Sequence, residues 1–156
     1  MRLHENDVRR VARAIEIYRL TGVTQTEQAR LDAPREGDYD EQIFALDWPR
    51  ETLYERISRR VDAMLAAGLI DEVRRLKRDS ARYPTAAQAI GYKEIAAALD
   101  GRMDMDEAVE RVKQATRNYA KRQLTWLRRD GRTQWISAEN RTPAEIAEEI
   151  RERCGI

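Results

Sequence analysis

The sequence predicts a mainly helical protein with two short strands and one hydrophobic core of ordinary domain size. Only four prolines and seven glycines interrupt 156 residues, and apolar residues recur with a period of about 3.6 along most of the chain. The 42% of hydrophobic residues is sufficient for one such core. No run approaches the roughly 18 to 20 apolar residues that span a bilayer, so no association with a membrane is expected.

Six helices are predicted where an apolar period lies between residues that start and stop helices. Aspartate, asparagine or threonine precedes three of them, and proline stands in the first turn of two. The predicted helices extend from Asn6 or Asp7 to Gly22, from Pro49 to Gly68, from Leu69 to about Arg78, from Ala86 to Leu99 with Gly91 in its interior, from Asp104 to about Arg129, and from Thr142 into the terminal residues.

The longest predicted helix begins with Asp104 and Glu107, which have the spacing of a capping box. Its buried side is predicted to include Val109, Val112, Ala115 or Thr116, Tyr119 and Trp126. Residues 23–41 are polar and predict a loop or a short helix, and residues 79–85 predict a loop.

Two segments, Ile43–Asp47 and Thr133–Ser137, have the pattern of short strands. About 85 residues separate them, and two lone strands do not make a stable sheet. We therefore expect neither strand to find a partner within the chain, and both to belong to a larger sheet.

The composition excludes most familiar hydrolytic chemistry. Cys154 is the single cysteine, so neither an internal disulfide nor a cysteine-based zinc site can form. His4 is the single histidine, which leaves no Ser-His-Asp triad and no Cys-His pair. With no secretory signal at the amino terminus, a cytoplasmic location is expected.

The formal net charge of +1 conceals a segregation of charge. Of 29 basic residues 25 are arginines, and residues 111–132 alone hold eight basic residues against one acid, Asp130. A GC-rich genome would also raise the arginine content, but the clustering favours a polyanionic partner.

The most informative segment is Lys121–Arg128. On a helix, three cations and a hydroxyl share one stripe that could follow a phosphate backbone: Arg117, Lys121, Thr125 and Arg128. Gln123 and Trp126 lie on a neighbouring face. The alternative is a solvated basic face above an apolar one, with Trp126 in the core.

Three further stretches could bind phosphates or bases. Tyr92 and Lys93 could stack on a base and pair with a phosphate, although tight helix packing would equally explain the preceding Gly91. Arg56 and Arg60 are four residues apart and could clamp a diphosphate, or could pair with Glu55 or Asp62. The first helix carries Arg9, Arg10 and Arg13, for which a solvated face is the alternative.

Taken together, these stretches resemble the tRNA dimethylallyltransferase (tRNA isopentenyltransferase) family, in order and in spacing, over roughly residues 3–137. The segments that carry the resemblance are His4–Arg10 continuing into Arg13–Tyr18, Arg60–Leu65 with Gly68–Val73, Ala89–Lys93, and Ala115–Arg117 through Lys121–Arg128. Glu5 stands where the family commonly has proline.

The resemblance implies a P-loop α/β transferase with a helical insertion, of which this chain would be the helical carboxyl-terminal part. Residues 1–42 would be a remnant of the insertion domain and residues 43–156 part of the catalytic domain, with both strands in the parent sheet. The family transfers a dimethylallyl group from dimethylallyl diphosphate to the N6 amine of the adenosine 3′ of the tRNA anticodon. Its phosphate loop and Mg²⁺ ligands have no counterpart in these residues, since no G-x-x-x-x-G-K-[ST] occurs. We therefore expect the chain alone to be inactive.

The resemblance implies that Arg60, together with Arg56, contacts the diphosphate. It also implies that the other segments named above bind the anticodon stem-loop and its flipped-out adenine. The implied tRNA-binding residues are Arg9, Arg10, Arg13, Gln88, Gly91, Tyr92, Lys93, Arg117, Lys121, Arg122, Gln123, Thr125, Trp126 and Arg128. Two other hypotheses remain, a stand-alone helical nucleic-acid-binding module and a helical interaction protein. Exposed apolar surface also predicts self-association.

Overall fold

The computed structural model describes residues 4, 6–32, 41–79 and 85–156. Within these ranges the structure is mainly helical, and its described residues fall into two compact units divided between Glu41 and Gln42. The elements are α1 (Val8–Thr21), α2 (Gln25–Leu31), β1 (Ile43–Asp47), α3 (Arg50–Ala66), α4 (Leu69–Arg78), α5 (Tyr92–Leu99), α6 (Met105–Leu127), β2 (Thr133–Ser137) and α7 (Pro143–Cys154). No helix in the described ranges is long and apolar enough to cross a membrane.

The amino-terminal unit contains α1 and α2. The Asp7 side chain accepts a hydrogen bond from the backbone N–H of Arg10, and Gly22 ends α1 in the left-handed conformation, so both predicted ends of this helix are confirmed. Thr24 caps α2, which confirms the short helix within residues 23–41. Residues 33–40 lie outside the described part of the chain. None of the residues of α1 or α2 is buried.

In the second unit, β1 and β2 pair with each other in parallel, from Ile43 opposite Thr133 to Asp47 opposite Ser137. The expectation that neither strand has a partner in the chain is therefore wrong. Parallel strands need a long crossover connection, and the helices between β1 and β2 provide one. Membership of a larger sheet remains a prediction.

A helical core joins α3, α4, α5 and α6. Its buried members are Val61, Leu69, Val73, Ile95, Ala108 and Val112. Burying an aliphatic side chain of this size contributes about 1.5 to 3 kcal/mol, so these contacts hold the four helices together. A second cluster, formed by Ile136, Ala138 and Ile146, packs α7 against the strands. Thr142 starts α7 as predicted, and together with Glu145 it forms both halves of a capping box.

The predicted continuous helix from Ala86 to Leu99 is wrong. Ala86–Gln88 forms a single 3-10 turn, and α5 begins only at Tyr92. Gly91 precedes it with φ +97°, and its N–H donates to Oε2 of Glu94 at 2.9 Å. The glycine is therefore at the helix start, where a positive φ requires it, and not in a helix interior. The predicted loop over residues 79–85 falls mostly on residues 80–84, which are outside the described ranges.

Two predictions about α6 are also corrected. Asp104 caps the helix through the N–H of Asp106, while Glu107 bonds Arg111 at 2.6 Å instead of completing a capping box. Tyr119 and Trp126 are 53% and 68% exposed, not buried. The 23 residues of α6 extend about 35 Å, whereas α5 has eight residues and covers only the first turns, where Ala108 and Val112 are buried.

Candidate nucleic-acid interface

A cavity of about 210 Å³ lies between the first turns of α3 and the last turns of α6. Its lining combines three cations with a hydroxyl, two aromatic rings and two leucines: Arg50, Lys121, Arg128, Thr125, Trp48, Tyr54, Leu53 and Leu124. None of these described lining residues is a carboxylate. The cavity therefore combines positive charge with an apolar surface, which suits a phosphate ester better than a neutral ligand.

Aromatic rings orient two of the three cations. The Nε–H of Arg50 donates to the hydroxyl of Tyr54 at 3.1 Å, and the guanidinium carbon lies 5.2 Å from the centroid of that ring. The guanidinium of Arg128 lies 5.5 Å from the Trp135 centroid and 4.0 Å from Oδ1 of Asp47. An aromatic ring holds a guanidinium without neutralising it, so the charge of Arg50, which has no ion pair among the described residues, stays available to a ligand.

Of the predicted stripe on α6, Lys121, Thr125 and Arg128 meet at the cavity and Arg117 does not. Arg117 instead donates to Oε1 of Gln114 at 3.1 Å. Lys121 has no ion pair among the described residues. The hydroxyl of Thr125 donates to the carbonyl of Lys121 at 2.8 Å, which leaves its oxygen as an acceptor only.

The neighbouring face of α6 presents aromatic and polar side chains to solvent. The Arg122 guanidinium lies 5.8 Å from the Tyr119 ring centroid, and Gln123 and Trp126 are exposed. The alternative in which Trp126 is a core residue is therefore wrong. Exposed rings beside cations can stack on bases.

The two arginines considered for a diphosphate differ in their surroundings. Arg56 lies over the Trp48 ring at 4.3 Å, and exposed Arg60 has no ion-pair partner among the described residues. Their alternative partners are engaged elsewhere: Glu55 pairs with Arg59 at 2.5 Å and Asp62 with Lys113 at 2.9 Å. The alternative of helix-spaced ion pairs for Arg56 and Arg60 is therefore wrong.

The Gln88–Lys93 segment lies beside the helical core. The hydroxyl of Tyr92 donates to Oε1 of Glu72 at 2.5 Å, and this bond, more than burial, raises the pKa of the tyrosine. Lys93 lies 3.6 Å from Oε1 of Glu94, and Gln88 is exposed. Tyr92 thus has a packing partner on α4, and its predicted contact with RNA remains a prediction.

In the amino-terminal unit, Arg9, Arg10 and Arg13 are all exposed. Arg10 pairs with Asp7 at 3.2 Å and Arg13 with Glu16 at 3.1 Å, whereas Arg9 has no such partner in the described part of the chain. Two of these three cations are therefore partly neutralised on their own helix.

The residues that line the cavity do not fit a magnesium site. Among the described residues, no group of three or more histidine, cysteine, aspartate or glutamate side chains is arranged to hold a metal ion. Magnesium is bound by carboxylates together with substrate phosphates, and the cavity between α3 and α6 has no carboxylate lining it.

Sequence reasoning missed one wall of the cavity, formed by Trp48 and by three residues from the start of α3, Arg50, Leu53 and Tyr54. The spacing of Arg50 and Tyr54 is a local signal, since residues four apart on a helix are neighbours. Their proximity to Lys121 and Arg128 is not local, and no pattern in the sequence indicates it.

The fold and this interface define a mainly helical protein with a surface that combines cations and aromatic rings. A family model described as IPP transferase matches residues 1–130. The chain belongs to the IPP transferase family.

Several relatives are similar over nearly the whole chain. A tRNA dimethylallyltransferase from Anoxybacillus flavithermus is 47% identical over 90% of this chain and 45% of its own length. The enzyme of that name from Carboxydothermus hydrogenoformans is 40% identical over 99% of this chain and 50% of its own. The chain thus spans about half the length of the curated relatives it matches.

Solved structures agree with this assignment. The tRNA isopentenylpyrophosphate transferase of Staphylococcus epidermidis superposes with a TM-score of 0.72 at 37% identity, over 98% of this chain and 50% of that one. A eukaryotic dimethylallyltransferase described as acting on tRNA gives a TM-score of 0.74 at 28% identity, over 98% and 42%.

Proposed function

We propose that this chain forms part of a tRNA dimethylallyltransferase and supplies RNA-binding surface and a diphosphate-binding arginine. The whole enzyme would transfer a dimethylallyl group from dimethylallyl diphosphate to the N6 amine of the adenosine 3′ of the tRNA anticodon. The observation that carries the proposal is the Lys121–Arg128 segment, which the family resemblance marks as tRNA-binding. Its cations border a cavity free of lining carboxylates, and its tryptophan is exposed.

The chemistry of this transfer makes use of such residues. Diphosphate leaves with growing negative charge, which fixed cations stabilise. Arg60, exposed and without an ion pair among the residues that the structure describes, suits this role. Arg56, stacked on Trp48, would be a second cation one helical turn away. The adenine amine becomes reachable only after the base leaves its stack, and exposed aromatic rings on α6 can replace the lost stacking.

Other parts of the reaction require groups that these residues do not provide. The 156 residues hold no phosphate-loop motif. We assign the phosphate loop, the Mg²⁺ ligands and the group that accepts the amine proton to the part of the enzyme corresponding to the remaining half of its relatives. The expected cytoplasmic location is part of the same proposal, because tRNA is the substrate.

Titration of a labelled anticodon stem-loop RNA with the chain tests the proposal. Binding should weaken steeply with salt, and Lys121→Ala should reduce the slope of log K against log[salt] by about 0.7 to 0.9 because one phosphate contact is lost. Trp126→Ala should cost about 1 to 3 kcal/mol of affinity with little change in slope, because a stacking ring is lost.

Arg74→Ala is the matched control, because Arg74 is an exposed arginine on α4 that pairs with Asp71, away from the cavity. It should leave affinity and slope unchanged. Equal weak affinity and equal slopes for the parent and Lys121→Ala would contradict the RNA-binding role of α6.

A further inference from the structure

We propose that Arg50, oriented by Tyr54, forms the second wall of a binding site for a single RNA nucleotide, opposite Lys121 and Arg128. The inference rests on the proposed function, because it takes RNA as the ligand. It adds a helix, α3, that neither the sequence pattern nor the family resemblance connects with RNA. The site is the cavity between α3 and α6.

The convergence of charge is the first argument. Arg50 comes from the first turn of α3. Lys121 comes from the last turns of α6 and Arg128 from the residue that caps its end, some 70 to 80 residues later in the chain. Like charges repel when they are brought together. Among the described residues, Asp47 pairs with Arg128 at 4.0 Å, while Arg50 and Lys121 have no ion pair. An anion in the cavity would relieve the repulsion among all three.

The geometry of Arg50 is the second argument. Its Nε–H is engaged by the Tyr54 hydroxyl at 3.1 Å, and Arg50 has no ion pair among the described residues. Both terminal nitrogens therefore remain available, and together they can donate two parallel hydrogen bonds to a phosphate. Because the ring and the hydroxyl of Tyr54 both hold the guanidinium, less rotamer entropy is lost when a phosphate binds.

The size and the lining of the cavity suit a single nucleotide. Its volume of about 210 Å³ is below the roughly 300 Å³ at which pockets for drug-sized ligands begin, so it suits one unit of a longer ligand. A bare diphosphate would gain nothing from the Leu53, Tyr54 and Leu124 surface. A nucleotide can place its phosphate among the cations and its sugar or base against these side chains.

The test compares the salt dependence of stem-loop binding by the full chain and its variants. Arg50→Gln keeps much of the side-chain stem but removes the charge, so affinity should fall roughly five- to tenfold and the slope should drop by about 0.7 to 0.9. Tyr54→Phe keeps the ring but loses the hydroxyl. It should weaken binding about two- to fivefold with the slope unchanged, since Arg50 keeps its charge.

A double variant shows whether Tyr54 positions Arg50 or has a merely structural role. If Tyr54 acts through Arg50, adding Tyr54→Phe to Arg50→Gln should cause no further loss of affinity. Arg59→Gln is the matched control, because Arg59 lies about two and a half turns further along α3, on the opposite side of the helix from Arg50, and pairs with Glu55. It should leave affinity and slope unchanged.

The outcomes distinguish this inference from the proposed function. If the parent binds RNA and Lys121→Ala reduces the slope while Arg50→Gln does not, the inference is wrong and the proposed function stands. If the parent shows no salt-dependent binding, both are wrong. Loss of affinity in Arg50→Gln that equals the loss in Arg59→Gln would also overturn the inference.

Inorganic diphosphate, added at matched ionic strength, distinguishes the source of the anion. With an RNA nucleotide in the cavity, diphosphate should displace the stem-loop no better than chloride does. Specific displacement from the parent that Arg50→Gln abolishes would identify a diphosphate site and overturn the assignment to RNA.

Discussion

Four arginines at the candidate interface contact aromatic rings, whereas ten described arginines elsewhere pair with carboxylates. Around the cavity and on the neighbouring face of α6, four guanidinium groups lie 4.3 to 5.8 Å from ring centroids. A ring orients the side chain and leaves its charge for a ligand, whereas a carboxylate neutralises it. Arg132, which bonds both oxygens of Asp130, is an example of the second kind.

The contact between Asp130 and Arg132 makes the free energy of unfolding depend on pH in the acid range. Hydrogen bonds from the Arg132 side chain, and then from its backbone N–H, lower the pKa of Asp130 from 3.8 to about 2. A carboxyl with a lower pKa in the folded state contributes stability above its unfolded pKa and loses it as the pH falls through the folded value. The loss should therefore occur between about pH 4 and pH 2.

Urea unfolding of the parent and of Asp130→Asn across this pH range measures the effect. The free energy of unfolding should fall less steeply with acid in Asp130→Asn. Arg132→Gln should flatten the profile to a smaller extent, because it removes the guanidinium but keeps the backbone N–H that also donates to Asp130. Acid profiles with identical slopes in parent and variants would contradict the assignment.

At the scale of elements, the start of α5 depends on Gly91. Its φ of +97° disfavours any residue with a Cβ, yet a Cβ there would meet only Leu69 and Val112 at 4.0 Å, an ordinary contact. Substitution would therefore be opposed by backbone strain and not by a clash. The N–H of Gly91 also satisfies the buried Glu94 carboxylate, so this residue fixes both the direction and the capping of the helix.

Gly91→Ala should lower the free energy of unfolding by about 1 to 3 kcal/mol, the usual cost of holding a residue in a sparsely populated backbone region. Chemical denaturation provides the measurement. Gly131→Ala is the control, because Gly131 has no positive φ and nothing near its missing Cβ. A loss of stability in Gly91→Ala no larger than that in Gly131→Ala would show that the backbone at Gly91 is not strained.

At the scale of the whole molecule, apolar surface is exposed to solvent in each of the two units. In the amino-terminal unit, Ile15 and Tyr18 are 49% and 57% exposed, and with Val11 and Ala14 they line a cavity of about 500 Å³. In the second unit, a two-stranded parallel sheet presents open edges in the described residues, although parallel sheets are normally buried on both faces. Such surfaces favour association.

We expect the chain to self-associate in a concentration-dependent manner in sedimentation experiments and to bind a hydrophobic dye. Ile15→Lys should weaken both effects, because it places a charge in the apolar cavity. Leu20→Lys is the control: Leu20 is more exposed, at 82%, but does not line that cavity. A monomer that melts cooperatively and binds no dye would contradict this expectation.

The sequence by itself determined the local features of this protein and its family. The ends of α1, α3, α4 and α7 follow from residues such as Asp7, Gly68 and Thr142, whose effects act within one helical turn. The limits of both strands and the segment Lys121–Arg128 could be found in the same way, because patterning and motif spacing are properties of contiguous residues.

Only the tertiary structure decided which surfaces meet. Whether Trp126 is buried depends on how far α5 extends along α6, and whether Ile43–Asp47 has a partner depends on a crossover of about 85 residues. The same holds for the meeting of Arg50 with Lys121 and Arg128 at one cavity. Contacts between residues far apart in the chain arise from the packing of whole helices, and helix periodicity specifies which side of a helix is apolar but not what covers it.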